Sequence, residues 1–409
     1  MKNLFFLLLL AATSLQAQSK EITFSLDNSE AHTSFPICLS IQANYENTTF
    51  TDGQCNELAS EFVNDSIVWI MLDTLKIGPN TIYMHNIAGQ SHDWPIEYQG
   101  VWHLDSYDDS GQASFDLSVT GTPAPTVGKI GDAVKFNANS YLHTLMSNTA
   151  SNGITVTFWL KFDNAADFVG PSNYINGFVS KDWVFGIEST SQYSKLGYSM
   201  YSEVYPYGTN VALCTPPITS GSCSQYLAGD STWHQIALSK SYTDTVAMQG
   251  NGTYTGSQDF KMYFDGVDVS VHDFWGTDTL KNIASNFFIG SSPYYSISGG
   301  TASILNRRGT RASIDEVMYI DVKKNEDWVY AQYLNQLDIS NYSIADSDIS
   351  CFTSTDFATA TEFNYQAAKI VKVFDIVGRE ICTTIPSNQP VVIVYELNGE
   401  LKRRIEIRQ

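Results

Sequence analysis

STWHQIALSKS, Ser231–Ser241, and KMYFDGVDVS, Lys261–Ser270, decide the class of this chain. Both alternate with a period of two around aromatic residues, the spacing of a strand whose successive side chains leave opposite faces of a sheet. In the first string Trp233, Gln235 and Ala237 fall on one side and His234, Ile236 and Leu238 on the other. Apolar residues occur on both sides, so this strand is expected to be buried on both faces at least in part. In the second string Asp265-Gly266 supplies the positive φ of a tight two-residue turn, which predicts a hairpin. Working outward, YQGVWHLDS from Tyr98, VTFWLKFD from Val156 and ASIDEVMYI from Ala312 repeat the pattern. Trp102, Trp159 and Trp233 are the expected core anchors. Helical signals are scarce; NEDWVYAQYL from Asn325, with Trp328, Val329, Ala331 and Leu334 at helical spacing, predicts one short helix.

The 409 residues have room for two to four domains, and 43% hydrophobic with 13% aromatic content can fill more than one core. Short apolar runs separated by Gly and Asn turns make the chain all-β. A formal net charge of −20 argues against nucleic acid and anionic membrane surfaces as partners. Met1-Lys2-Asn3, an apolar run from Leu4 to Ala12 and small residues to Ala17 have the order of a secretory signal peptide spanning 1–17. That run is about half the roughly 20 residues a membrane-spanning helix needs. The mature chain is therefore expected to be exported, without a transmembrane segment, to the extracellular space or the cell surface.

Taken in order, YQGVWHLDS, VTFWLKFD, the STWHQIALSKS–KMYFDGVDVS pair and ASIDEVMYI resemble the LamG-like branch of the concanavalin A-like lectin (glucanase) jelly rolls, over residues 99–337. The resemblance implies a jelly-roll sandwich used outside the cell to bind or display. It also implies a structural calcium on the convex side, held by the Asp of the last strand, Asp315, with Asp105 of the first strand as companion. Upstream, FPICLSI, SIVWIMLDTL and NTIYMHN over 20–98 resemble an uncharacterised bacterial β-domain of unknown function that often precedes LamG-like domains. Downstream, 345–409 resembles the C-terminal sorting domain of type IX secretion: Val377, Gly378 and Arg379 match its turn, Tyr395 its Tyr-bearing strand, and Lys402 to Arg404 its basic last strand. The Gly that usually precedes the Tyr-bearing strand is replaced by Asn388-Gln389-Pro390. Such a module implies a partner in the export machinery.

Six cysteines fit an oxidising compartment, and none has Cys-x-x-Cys spacing. Spacing leaves connectivity open; pairing in sequence order, Cys38–Cys55, Cys214–Cys223 and Cys351–Cys382, gives each module one bridge. Two long segments, Ser189–Asp230 and Ser241–Asp259, interrupt the family pattern and read as excursions. The first carries Tyr193, Tyr198, Tyr201, Tyr205 and Tyr207. Tyr201 and Tyr205, with Trp275, Tyr294 and Tyr295, form the candidate ligand surface, because an aromatic face is apolar while its polar tip stays wet.

No catalytic residue is recognisable. A retaining glycosidase needs two carboxyl groups about 5–5.5 Å apart, and the adjacent Asp315 and Glu316 are expected to point to opposite faces. Zinc and serine-triad motifs are missing. The expectation is a non-catalytic binding protein, carbohydrate-binding or adhesive, whose partner is a glycan or a cell-surface protein. The alternatives are a structural spacer without small ligand, and a polysaccharide-acting hydrolase.

Overall fold

The structure is a computed structural model that describes residues 19–41, 48–86, 93–146, 153–163, 174–181, 183–189, 194–200, 209–213, 231–241, 247–248, 254–255, 260–269, 285–298, 301–347, 349, 351, 369–375, 390–397 and 400–407. Residues 1–17, expected to be a signal peptide, and Cys214, Cys223, Cys382 and the turn Val377–Arg379 lie outside them. The chain divides into two compact units, Met1–Ile349 and Ser350–Gln409. It is all-β with a central sandwich.

The first unit begins with β1 (Ser19–Leu26), β2 (His32–Ser40), β3 (Thr49–Thr51), β4 (Glu57–Leu58), β5 (Ser60–Asn64), β6 (Ile67–Leu75) and β7 (Gly78–His85). It continues through β8 (Tyr98–Trp102), β9 (Ser118–Thr120), β10 (Ala124–Val127), β11 (Asp132–Lys135), β12 (Tyr141–Met146) and β13 (Ile154–Lys161). Next come β14 (Tyr174–Ser180), β15 (Trp183–Ser189), β16 (Ser194–Met200), β17 (Thr209–Leu213), β18 (His234–Lys240), β19 (Ala247–Met248) and β20 (Tyr254–Thr255). It closes with β21 (Phe260–Phe264), β22 (Val267–Asp268), β23 (Ser285–Ile289), β24 (Ser291–Ser298), β25 (Thr301–Gly309), β26 (Ser313–Ile320), helix α1 (Glu326–Leu337) and β27 (Ser343–Ser347).

Two large sheets form the centre. One runs β10-β11-β26-β13-β18-β21-β22, with β8 also paired to β26; the other runs β17-β16-β15-β14-β23-β12-β9. Trp102, Phe136, Phe158, Ile236, Leu238, Phe287 and Val317 pack between them. The opposite face of the first sheet is also covered. Tyr98, Val101, Ala237, Tyr263, Met318 and Ile320 share one core with Phe35, Ile37, Trp69 and Ile70 of the N-terminal strands and with Trp328 and Val329 of α1. The result is three layers, with β13, β18 and β26 buried on both faces. The N-terminal strands thus belong to the same compact unit as the central sandwich.

Asp265 (φ 50) and Gly266 (φ 75) make the expected hairpin turn between β21 and β22. Trp102 and Trp159 are fully buried, whereas Trp233 is half-buried with Lys161 Nζ 5.1 Å over its ring. The excursion Ser189–Asp230 is not all loop. Within it β16 and β17 extend the seven-stranded sheet, Tyr198 pairing with Phe185 and Val211.

One expected disulfide is wrong. Cys38 is a free, buried thiol, while Cys55 and Cys351 are each disulfide-bonded. Cys38 points into the shared core from β2, where burial, and then the charges of Glu316 and Asp315, push its thiol well above the usual range. Cys55 sits in an exposed turn at φ 66. Order along the sequence could not tell an inward strand position from a turn.

Gly290, at φ +83, links β23 to β24, and a Cβ there would lie 2.3 Å from the Phe136 ring. Gly290→Ala is expected to cost about 2–5 kcal/mol, from left-handed backbone strain plus overpacking. Urea unfolding followed by tryptophan fluorescence measures this, and a loss under about 1 kcal/mol would show that the corner relaxes freely.

The second unit contains an antiparallel meander, β28 (Lys369–Asp375), β29 (Pro390–Leu397) and β30 (Glu400–Ile407). Tyr395 stands opposite Ile370 and Lys402.

Candidate functional site

The outer face of the seven-stranded sheet carries an aromatic cluster on β12 and β23. Leu142 and Met146 of β12, and Phe287 and Ile289 of β23, face the core. The two-residue period therefore turns Tyr141, His143, Leu145, Asn286 and Phe288 the other way. His143 stands directly opposite Phe288 and Leu145 opposite Asn286. Tyr141, His143 and Phe288 form a ring cluster with centroids 5.6, 5.9 and 6.1 Å apart. Tyr141 and Phe288 are buried, His143 is half-buried and Leu145 is 65% exposed. Ser118 and Thr120 of β9 flank His143 and Tyr141 and add hydroxyls to the same face. This face exposes His143 and Leu145, flanked by the hydroxyl-bearing Ser118 and Thr120, while the buried Tyr141 and Phe288 rings pack against the imidazole.

Of the aromatic residues singled out from the sequence, Tyr201, Tyr205 and Trp275 lie outside the described residues. Tyr294 and Tyr295 lie on β24, which leaves β23 directly after Gly290 and pairs with β25; the register shifts between them, with Tyr294 opposite Asn306 and Tyr295 opposite Ile304. Sequence reasoning missed Tyr141, His143 and Phe288. YLHTLM carries the alternation that could have shown them, but not which of its two faces meets the core.

Asp315 and Glu316 contradict the expectation that neighbours face apart. Glu316 has φ 49, and the pairing of β26 with β13 slips between Thr157 and Trp159. This bulge lets Ile314 and Val317 both reach the inner core and sends both carboxylates to the outer side. Asp315 Oδ2 accepts from the amides of Lys129 (2.7 Å) and Ile130 (3.0 Å), holding the turn between β10 and β11. Its Oδ1 and Glu316 Oε1 are buried without a hydrogen-bond partner. Burial, reinforced by Glu316, pushes the Asp315 carboxyl well up. Asp105 is exposed and accepts from its neighbour's amide, Ser106 N, at 2.7 Å.

Glu316 Oε2 meets His103 Nδ1 at 2.7 Å, and His103 Nε2 reaches Glu61 Oε2 of β5 at 3.3 Å. Trp94 Nε1 donates to the same Glu61 oxygen at 2.7 Å, Ser110 Oγ donates to the other, and the Trp69 ring stacks on the imidazole at 5.6 Å. Against the cost of burial, the two carboxylates hold His103 protonated well above the imidazole range. Glu61, although burial works against it, is held at about 2 by the imidazole and its hydrogen bonds. This ionic bridge joins the N-terminal strands to the central sandwich.

One three-ligand group appears among the described residues, Glu30, His32 and Asp327. Asp327 already accepts from Ser29 N at 2.8 Å, from Ser29 Oγ, from Glu30 N and from His32 Nε2 at 2.9 Å, so the group clamps the start of β2 to the first turn of α1. No helix among the described residues is long and apolar enough to cross a membrane.

No protein-family model matches the chain, and no curated protein matches it. Among solved structures it is similar to domain 4 of AbnA, a GH43 extracellular arabinanase from Geobacillus stearothermophilus, in complex with arabinotriose. There the identity is 13%, over 57% of this chain and 97% of that one, with a TM-score of 0.34. It is also similar to the receptor binding domain of botulinum neurotoxin C/D mosaic serotype (7% identity, 75% and 72% coverage, TM-score 0.39). A third is the binding domain of Paraclostridial Mosquitocidal Protein 1 (11% identity, 73% and 75% coverage, TM-score 0.37).

Proposed function

We propose that this chain is an exported, non-catalytic binding protein whose LamG-like, concanavalin A-like sandwich takes a glycan or a cell-surface protein. The observation that supports the reading is a small platform on the seven-stranded sheet, half-buried His143 and exposed Leu145, with the imidazole held by the buried Tyr141 and Phe288 rings. Tyr201 and Tyr205, from the first segment that interrupts the family pattern, would extend the contact together with Trp275, Tyr294 and Tyr295. Calcium belongs to the same proposal, and the unpartnered Oδ1 of Asp315 is the oxygen it would take. The C-terminal meander would serve export and surface attachment.

The test is a glycan array probed with the full chain, with and without calcium, followed by titration of the strongest hit. His143→Ala is expected to weaken that binding roughly three- to tenfold, and His143→Phe to retain it, since the platform works by its ring face. Combined Tyr201→Ala, Tyr205→Ala and Trp275→Ala substitutions should weaken it further. A blank array under both conditions would remove the lectin reading and leave the spacer.

A further inference from the structure

We infer that the N-terminal strands carry a second ligand site, independent of the platform, and that its ligand is a neutral, hydroxyl-rich saccharide. A cleft of about 390 Å³ opens between the turn Asp52–Gln54 and the corner where β6 passes into β7. Small-ligand sites occupy about 300–1,000 Å³. Its floor is apolar, with Leu58, Leu72 and Ile82 almost fully buried. Along one wall lies the Tyr83 ring, against which Gly53 packs without a side chain, a Cβ there being 3.9 Å from the ring.

The rim supplies acceptors and donors side by side. Asp52 is fixed in place: Oδ1 accepts from Gln54 N and Asn56 N, both at 2.8 Å, and Oδ2 accepts from Asn56 Nδ2 at 2.7 Å. Against the cost of burial, these bonds together with the charge of Lys76 lower its pKa, keeping it charged. A carboxylate has about four acceptor positions, so Asp52 retains one, on Oδ2. Asp73 and Thr74 are exposed on β6, and Lys76 follows at the corner. Among the described residues the side chains of these three make no hydrogen bond or ion pair, although each lines the cleft.

This set selects a ligand class. Two carboxylates against one ammonium, on a chain of net charge −20, disfavour an anion. Lys76 and the largely occupied oxygens of Asp52 disfavour a bare cation. Adjacent carboxylate acceptors and an ammonium donor over an apolar floor suit a sugar ring: each hydroxyl donates one bond and accepts others, while the CH face lies on Leu72 and Tyr83.

The test titrates the full chain with gluco-, manno-, xylo- and galacto-configured trisaccharides, with trigalacturonate as the acidic comparison. At least one neutral probe is expected to bind. Asp73→Ala and Lys76→Ala should each weaken it about tenfold, because each removes a charged hydrogen-bond partner, whereas His143→Ala should leave it unchanged. Both are surface substitutions and should leave the unfolding midpoint in place. The inference is overturned if no neutral probe binds, if trigalacturonate binds more tightly, or if neither cleft substitution weakens binding. Loss with His143→Ala alone would overturn it while supporting the platform; loss with the cleft variants alone supports the cleft and leaves the platform to its own array test.

Discussion

Asn335→Leu is expected to lower the stability of the first unit by about 2–6 kcal/mol, although it replaces a polar side chain in an apolar core with an apolar one of similar size. β2 pairs with β6 on one side and would otherwise present an open edge on the other. Side chains of the central sandwich and its helix finish that edge. Tyr98 Oη donates to Ser34 O at 2.7 Å and Gln332 Nε2 to Pro36 O at 3.3 Å. Asn335 does both jobs of a strand neighbour: Oδ1 accepts from Cys38 N at 2.7 Å and Nδ2 donates to Cys38 O at 3.0 Å. Farther on, Ser40 N donates to Ile339 O at 2.9 Å and Tyr342 Oη to Ser40 O at 2.6 Å. Leucine would leave the buried N–H and C=O of Cys38 unpaired, each costing about 1–3 kcal/mol. Urea unfolding read through tryptophan fluorescence reports the first unit, since Trp69, Trp102 and Trp328 are in its cores. A loss below about 1 kcal/mol would mean that water or neighbouring backbone takes over both groups.

His103→Ala is expected to cost about 3–5 kcal/mol, because it strands Glu316, and in part Glu61, as buried carboxylates without their counter-charge. A triple variant, His103→Phe with Glu61→Leu and Glu316→Leu, should recover part of the loss: apolar groups replace such a triad at little cost, less the cost of leaving Trp94 Nε1 and Ser110 Oγ without their acceptor. If His103→Ala is neutral, or if the triple variant is no better than the single one, the bridge is not what joins the layers. The pH dependence follows from the two shifts. The folded pKa of His103 is raised, so its contribution is complete below about 6.5 and drains away as pH climbs through the elevated folded value. Glu61 is lowered to about 2, so its contribution is complete above about 4.5 and is lost as pH falls through 2. The wild-type chain should therefore be most stable near pH 4.5–6.5 relative to His103→Ala, the difference shrinking on the alkaline side.

The elements governed by local physics were legible in the sequence. Period-two strings gave β13, β18, β21 and β26; Asp265-Gly266 gave its turn; and Asn325, whose Oδ1 accepts from Trp328 N at 2.9 Å, marked the start of α1. What depended on distant partners was not. His103 meets Glu316 across 213 positions and Glu61 across 42, and nothing near any of them announces the others. A one-residue bulge at Glu316 reversed the inference from alternation about its carboxylates, because period-two reasoning holds only while the ladder is unbroken. The N-terminal strands read as a separate module because their apolar pattern did not reveal that its partner was the back of the central sheet.

The edge of β2 also sets a timetable. Cys38 must wait for Asn335, 297 residues later, and Ser19 pairs with Ser347 across a still longer span. At about 5–20 residues per second of synthesis, the N-terminal strands exist for roughly 15–60 s before the groups that complete them have been made. The last residues of this unit complete its first strands, so it can close only after nearly its whole length has emerged, and a chain held extended until then would be spared strand-to-strand association with its neighbours.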